Sequence, residues 1–274
     1  MISGLVAVSA SAQKLIPEAG NTDRPQIDIE SYSIEARIDP FEGELTATAE
    51  IRFVQLDRQD YAVFDLDRRL RVRDVYLGED EPFPVRFRQF DLDSTLEVDL
   101  SDLGQFDLPV IRVEYDGVLN PEEGRGEPIL ARISAESAFL LYEAKWFPTN
   151  GIHHDSATMD VVLLVPYDWQ VIASFPESVL EIRDLERRLS FSSPTPTASG
   201  TMVAGNYESA AASTDGGPAV EVMVLEDVDT AAEMSEEAAK MIAFYTDTFG
   251  QPVASSLRII EIEGANWDAR SAPG

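Results

Sequence analysis

Polar and apolar residues alternate with period two along much of this chain. Tyr32, Ile34, Ala36 and Ile38 alternate with Ser33, Glu35 and Arg37. After a Pro40-Phe41-Glu42-Gly43 turn, Leu45, Ala47, Ala49, Ile51 and Phe53 alternate with Thr46, Thr48, Glu50 and Arg52. Alternation this long predicts an antiparallel hairpin with one face buried and one wet. Further strands are predicted at Ala62 to Leu66, Leu70 to Leu77, Val85 to Phe90, Thr95 to Leu100 and Val110 to Tyr115, with a turn at Asp116-Gly117. Arg86 and Arg88 flank Phe87 on the opposite face and read as a solvated strand face.

The middle of the chain has three parts. Trp146-Phe147-Pro148 forms an aromatic corner. A polar loop follows, holding both histidines of the chain, His153 and His154. Met159 to Val165 is then a strand, closed by Pro166-Tyr167-Asp168-Trp169. At a turn beside a buried strand, Trp146, Phe147 and Trp169 read as core plugs rather than as a groove for peptide or glycan. Val171 to Ser174, Val179 to Ile182 and Arg188 to Phe191 continue the strand pattern. Pro194-Thr195-Pro196-Thr197 should interrupt it, and Thr201 to Tyr207 and Ala219 to Leu225 resume it. Many short strands without intervening helices imply a sandwich or related β assembly.

The period changes after Asp227. Thr230-Ala231-Ala232-Glu233 has the form of a capping box. Ala231, Met234, Ala238, Met241, Ile242, Tyr245 and Phe249 recur at helical spacing, and Gly250 and Pro252 end the helix. Leu257 to Ile262 is one more strand. The chain therefore divides into a β domain over residues 26–226 and the opening of a second domain over residues 227–274.

Charge narrows the function classes. Lysine and arginine number 21 and aspartate and glutamate 50, a net charge of −29. That much negative charge repels phosphate backbones and anionic lipids, so neither nucleic acid nor a membrane is an expected partner. Hydrophobic residues make up 44% of the chain, enough for a real core. No cysteine is present, so disulfides and thiolate metal sites are excluded. Ile2 to Val8 is a short apolar run, and Ala10-Ser11-Ala12 before Gln13 has the form of a signal-peptidase site. Residues 1–12 read as a partial signal peptide and 13–25 as a linker, which implies a periplasmic or extracellular protein. The alternative is a small-residue tail without a targeting role.

The order and spacing of these elements resemble the N-terminal region of the aminopeptidase N family, the gluzincin zinc metallopeptidases. Ile111-Arg112-Val113-Glu114-Tyr115-Asp116-Gly117, the Trp146-Phe147-Pro148 corner, Thr201-Met202-Val203-Ala204-Gly205-Asn206-Tyr207, and Ala231 to Phe249 with Gly250-Gln251-Pro252 carry the likeness. The resemblance implies a mostly β fold: a large antiparallel β-sandwich or saddle-like domain, then the first helix and strand of a thermolysin-like α/β catalytic domain. It also implies that the full-length parent binds zinc and a peptide substrate, the β domain shaping one side of the substrate channel.

The family's zinc site needs H-E-x-x-H, in which two histidines one helical turn apart share a metal. This sequence contains no such motif, and adjacent His153 and His154 point in different directions. The family's Gly-Ala-Met-Glu-Asn segment corresponds to Glu263-Gly264-Ala265-Asn266-Trp267, where Gly264 and Ala265 match and the amine-binding glutamate is not in place. The candidate substrate-lining residues are thus Gly264, Ala265, Ser271, Ala272, Pro273 and Gly274. No catalytic residue, metal ligand or cofactor is assigned to this chain itself. It is expected to be a fragment, inactive alone, whose partner is its own missing catalytic domain. The competing reading is a free-standing secreted β-sandwich that binds peptide or glycan without catalysis. Neither a G-x-S-x-G elbow nor a glycine-rich phosphate loop is present.

Overall fold

The computed structural model describes residues 24–271, except 58, 104–108, 121–127, 152–155, 175–176, 184–185, 198–199, 214–217, 253–255, 266–268 and 270. The predicted signal segment, all of the linker but residues 24 and 25, both histidines, Asn266, Trp267, Ala272, Pro273 and Gly274 lie outside the described residues.

The strands are β1 (Ile27–Asp39), β2 (Glu44–Gln55), β3 (Tyr61–Asp65), β4 (Arg71–Leu77), β5 (Phe83–Pro84), β6 (Phe87–Phe90), β7 (Thr95–Asp99), β8 (Val110–Val118) and β9 (Ala131–Ile133). They continue as β10 (Ser137–Leu140), β11 (Ala157–Pro166), β12 (Gln170–Ala173), β13 (Glu177–Arg183), β14 (Glu186–Thr197), β15 (Met202–Gly205), β16 (Glu208–Ala212), β17 (Ala219–Val224) and β18 (Ser256–Ile260). A single long helix, α1 (Val228–Phe249), separates β17 from β18 among the described residues.

An eight-stranded sheet in the order β13-β14-β11-β1-β2-β8-β4-β5 is the backbone of the fold. The predicted hairpin is its centre, with Ile38 opposite Leu45 and Ile34 opposite Ala49. Its inward residues, from Tyr32 to Ile38 and from Leu45 to Phe53, are all buried, as the alternation requires. β1 pairs with β11 in parallel, so the sheet is not wholly antiparallel. Two smaller sheets, β12-β15-β10-β9 and β3-β7-β6, close over the apolar side. One continuous core joins all three sheets, including Phe53, Phe64, Leu96, Val113, Ala138, Trp146, Phe147 and Met202.

Two expected breaks are absent. Asp116-Gly117 does not turn: β8 runs on to Val118, paired with β2 through Leu45 and Gly117. The glycine is needed there because a Cβ would come 2.2 Å from the Arg69 carbonyl oxygen. Pro194 and Pro196 do not end β14 either. Between the Met159–Ser193 and Ala157–Thr197 pairs the register shifts, placing three residues of β14 opposite one of β11. A bulge tolerates proline because the lost N–H has no ladder bond to make there. The short strands β9 and β16 carry too little pattern to be predicted.

The last unit is a third small sheet, β16-β17-β18, with α1 on one face. β17 and β18 are parallel, with α1 as their crossover. The helix is capped by Asp227, which accepts from the Thr230 N–H and hydroxyl, so Thr230 sits inside the first turn rather than at the cap. The expected apolar stripe is only partly the buried one. Ala231, Ser235 and Ala239 face the sheet, whereas Met234, Met241 and Phe249 are 44%, 55% and 75% exposed. Small side chains let the helix approach Val220, Val222 and Val224 closely, which rotates the long ones outward.

Candidate functional site

The features singled out by the sequence fall in two places: the aromatic corner packs in the main core, and the segment after β18 packs in a separate cluster with Phe139, Leu141, Val203 and Tyr207. Trp146 and Phe147 are both fully buried, as expected of core plugs. Phe147 meets Tyr32 edge-on at 5.2 Å and Trp146 at 4.8 Å. The Trp146 indole N–H donates to the Gly200 carbonyl at 2.9 Å, so its one polar atom is satisfied inside the core. Burying aromatic side chains of this size contributes up to about 4–6 kcal/mol each, at roughly 25 cal/mol per Å². The corner is therefore a rigid anchor and not a groove lining.

A buried ion cluster ties the corner to β3. The Asp65 carboxylate is 8% exposed and accepts from Arg24 Nη1 at 3.2 Å and from the Gly151 N–H at 3.0 Å. Lys145 Nζ lies 3.5 Å from it. The backbones of Asp65 and Thr149 exchange two hydrogen bonds, at 2.7 and 2.9 Å. Lys145 has a positive φ of 56°, uncommon for a side-chain-bearing residue, and its carbonyl accepts from the Asp67 N–H. The shared Asp65 carboxylate thereby ties Arg24, β3 and the turn from Lys145 to Gly151 together.

The segment after β18 lies across the β domain. The Glu261 N–H donates to the Met223 carbonyl and its carboxylate accepts from the Leu225 N–H, both at 2.9 Å. The Tyr207 hydroxyl donates to the Glu261 carbonyl at 3.0 Å. Burial, reinforced by Glu261 and Glu263, pushes the Tyr207 phenol well above its ordinary range, so it stays a donor. Ser134 Oγ lies 3.0 Å from a Glu263 carboxylate oxygen. Gly264 has φ +69°, and Arg132 Nη1 approaches its carbonyl at 3.5 Å. Ala265, with Ile260 and Ile262, packs on Phe139, Leu141, Val203, Tyr207 and Met223. Of the six candidate residues, Gly264 and Ala265 are thus fixed against β9 and β10, and Ser271 is exposed. Arg132, Ser134 and Tyr207 were not anticipated. Nothing local in the sequence links them to a segment more than fifty residues away.

An M1 zinc metallopeptidase from Deinococcus radiodurans superposes with a TM-score of 0.64 and 22% identity over 86% of this chain. A mutant of that protein bound to a Tyr-Ser-Ala substrate gives 0.63 and 20% over 85%. A two-domain M1 zinc metallopeptidase mutant bound to L-arginine gives 0.63 and 20% over 86%. The chain shares its fold with M1 zinc metallopeptidases. It spans only 56–57% of the length of those chains. No protein-family model matches the sequence, and no curated protein matches it.

The M1 likeness raises the question of zinc. Among the described residues no three histidine, aspartate or glutamate side chains stand together so as to hold a metal ion. The acidic side chains nearest the candidate segment, Glu261 and Glu263, are occupied by a backbone N–H and a serine hydroxyl. The described donor set does not fit a catalytic zinc of the M1 kind.

Proposed function

We propose that this chain is the N-terminal part of a zinc-dependent, aminopeptidase-like metallopeptidase. Its β domain runs from residue 26 through β15, and the β16-β17-β18 sheet with α1 is the opening of its catalytic domain, so the division expected at residue 226 moves ahead of β16. The observation that carries the reading is the β17-α1-β18 unit: a crossover unit docked on a three-sheet β domain, within a chain that follows the M1 fold over 85% of its length. In the parent, the segment from Gly264 to Gly274 lines the peptide channel, with Gly264, Ala265, Ser271, Ala272, Pro273 and Gly274 along the substrate. The outward residues of α1, Met241, Phe244 and Phe249, are the surface that the remaining catalytic half covers. Zinc and the water-activating glutamate belong to that half, and this chain alone is inactive. The signal-like sequence of residues 1–12 supports a periplasmic or extracellular location for the parent.

The test is direct. The intact mass of the native polypeptide should be well above that of these 274 residues. That longer polypeptide should hydrolyse an aminoacyl anilide, lose the activity to a chelator and regain it with zinc. The purified 274-residue chain should not. Zinc-dependent hydrolysis by the short chain, or a native mass equal to it less the signal, would overturn the proposal. The second outcome would favour a free-standing binding domain.

A further inference from the structure

Arg86 and Arg88 are exposed, as a wet strand face requires. That face carries a pattern, however. β6, β7 and β3 lie side by side, and their outward residues form two rows. In one, Arg88 stands opposite Glu97, and Glu97 opposite Val63. In the other, the Asp99 N–H donates to the Arg86 carbonyl at 2.9 Å, and Asp99 stands opposite Tyr61. Residues in register on neighbouring strands share a face. Two cations on β6 therefore stand beside two carboxylates on β7, with Tyr61 beyond them. A groove of about 530 Å³ opens here, lined by these four charged residues with Tyr61, Val85 and Phe87.

The two columns leave each other largely unused. Arg88 and Glu97 are 4.0 Å apart, beyond hydrogen-bonding distance, and an exposed pair of this kind contributes little. Arg86 forms no ion pair and no side-chain hydrogen bond among the described residues. By contrast Arg37, Arg52, Arg71 and Arg258, on other surfaces, each meet a carboxylate at 3.1 Å or closer. The Ser101 hydroxyl, then its N–H at 2.9 Å, hold the Asp99 carboxyl below its usual range, so it stays ionised and fixed.

The arrangement selects the ligand's charge. Glu97 and Asp99 repel a plain anion, and Arg86 and Arg88 repel a plain cation. A molecule carrying both signs satisfies both columns. The columns are one strand spacing apart, about 4.8 Å. In a free α-amino acid the ammonium nitrogen and carboxylate carbon are about 2.5 Å apart, and in a dipeptide about 5–6 Å. The groove is also of the volume that small ligands occupy.

We propose that this groove binds a dipeptide by its two ends, the carboxylate on Arg86 and Arg88 and the ammonium on Glu97 and Asp99, with a side chain against Tyr61. No residue of the β16-β17-β18 unit takes part, so the site does not depend on the metallopeptidase reading.

The experiment titrates the full 274-residue chain with Ala-Ala, its N-acetyl derivative, its C-terminal amide and inorganic phosphate. The backbone amide resonances of Arg86, Arg88, Glu97 and Asp99 report binding. Ala-Ala should bind about three- to tenfold tighter than either capped form, the scale of one charged contact in a partly open groove. Replacing Arg86→Gln together with Arg88→Gln should remove the advantage of the free acid over the amide and keep that of the free amine over the acetyl form. Glu97→Gln with Asp99→Asn should do the converse. Unchanged β1 and β2 resonances certify the fold of each variant.

The absence of any shift at these four amides with about 10 mM Ala-Ala overturns the proposal. So does equal affinity for Ala-Ala and its capped forms, or phosphate binding as tightly as Ala-Ala, which would make the groove a plain anion site. A free-acid advantage that survives loss of both arginines overturns it as well. Zinc-dependent hydrolysis by the longer polypeptide is a separate measurement, so either reading can fail alone.

Discussion

Tyr115 offers a test in which deleting a polar atom should stabilise the protein. It lies on β8 opposite Ala47 of β2 and Val72 of β4, and it is 1% exposed. Its hydroxyl has no hydrogen-bond partner. Leaving a hydroxyl buried and unsatisfied costs about 1–3 kcal/mol, whereas the ring itself is worth keeping. Tyr115→Phe should therefore raise stability by about 1 kcal/mol at pH 7, or about 2–4 °C in Tm for a domain of this size. Burial also pushes the Tyr115 phenol far above its usual range, and the Tyr207 phenol with it. The sign of the pH effect follows. Above about pH 10 the unfolded chain loses these protons while the native state keeps them, so unfolding releases protons and stability falls as pH rises. Each such tyrosine steepens the fall by up to about 1.4 kcal/mol per pH unit, and below about pH 10 the contribution is fully present. Urea unfolding followed by tryptophan fluorescence at pH 7 and above pH 10 measures both effects. Phenylalanine should raise the midpoint at unchanged slope m and flatten the alkaline decline. A variant that loses 1 kcal/mol or more, or that declines as steeply as the parent, would refute the argument.

Other substitutions test the anchors. Asp65→Ala leaves Arg24 and Lys145 facing each other without their shared carboxylate and should cost about 3–5 kcal/mol in denaturant unfolding. Gly200→Ala puts a Cβ 2.8 Å from the buried Phe147 ring, and should cost about 1–3 kcal/mol by the same measurement. On α1, Phe244→Gln should change stability by no more than about 0.5 kcal/mol, because that ring is 66% exposed. Ala239→Leu, on the face against the sheet, should cost about 1–3 kcal/mol by overpacking.

The sequence made much of this architecture legible because period-two alternation survives tertiary context where one face is buried. The hairpin β1–β2 is legible residue by residue, and so is the burial of Val220, Val222 and Val224. The misreadings share a cause. Asp116-Gly117 has turn composition, yet the requirement met by Gly117 is the closeness of the Arg69 carbonyl, set by a different strand. Pro194 and Pro196 look like breakers, yet a bulge opposite β11 absorbs them. The aromatic corner was legible as core, but the Asp65 cluster that holds it was not. Its members, Arg24, Asp65 and the Lys145–Gly151 turn, come from three segments far apart in the chain. The same holds for the candidate site. Gly264 and Ala265 could be picked out by resemblance, but Arg132 is brought to them only by folding.

The helix carries the sharpest lesson about reading a face. The stripe read from its sequence mixes small and long apolar residues. Ala231, Ala238 and Ile242 of that stripe pack with the sheet, joined by Ala239, whereas Met234, Met241 and Phe249 are exposed. A sheet is a flat partner, and the closest approach, with the most contact per residue, is reached when the facing side chains are short. Ala231, Ser235 and Ala239 meet that condition against β16 and β17, and the Ser235 hydroxyl is satisfied by the Ala232 carbonyl within the helix. The opposite face of the small sheet is held separately, through Met223 and Ile260 on the β domain. The unit is thus fixed on its inner side by two independent packings, which is what sets the course of residues 261–265. Its outer side, Met241, Phe244 and Phe249, contributes nothing to that course. The placement of Gly264 against Arg132 is accordingly a property of the β domain and its docked sheet. It should persist whether or not α1 is covered.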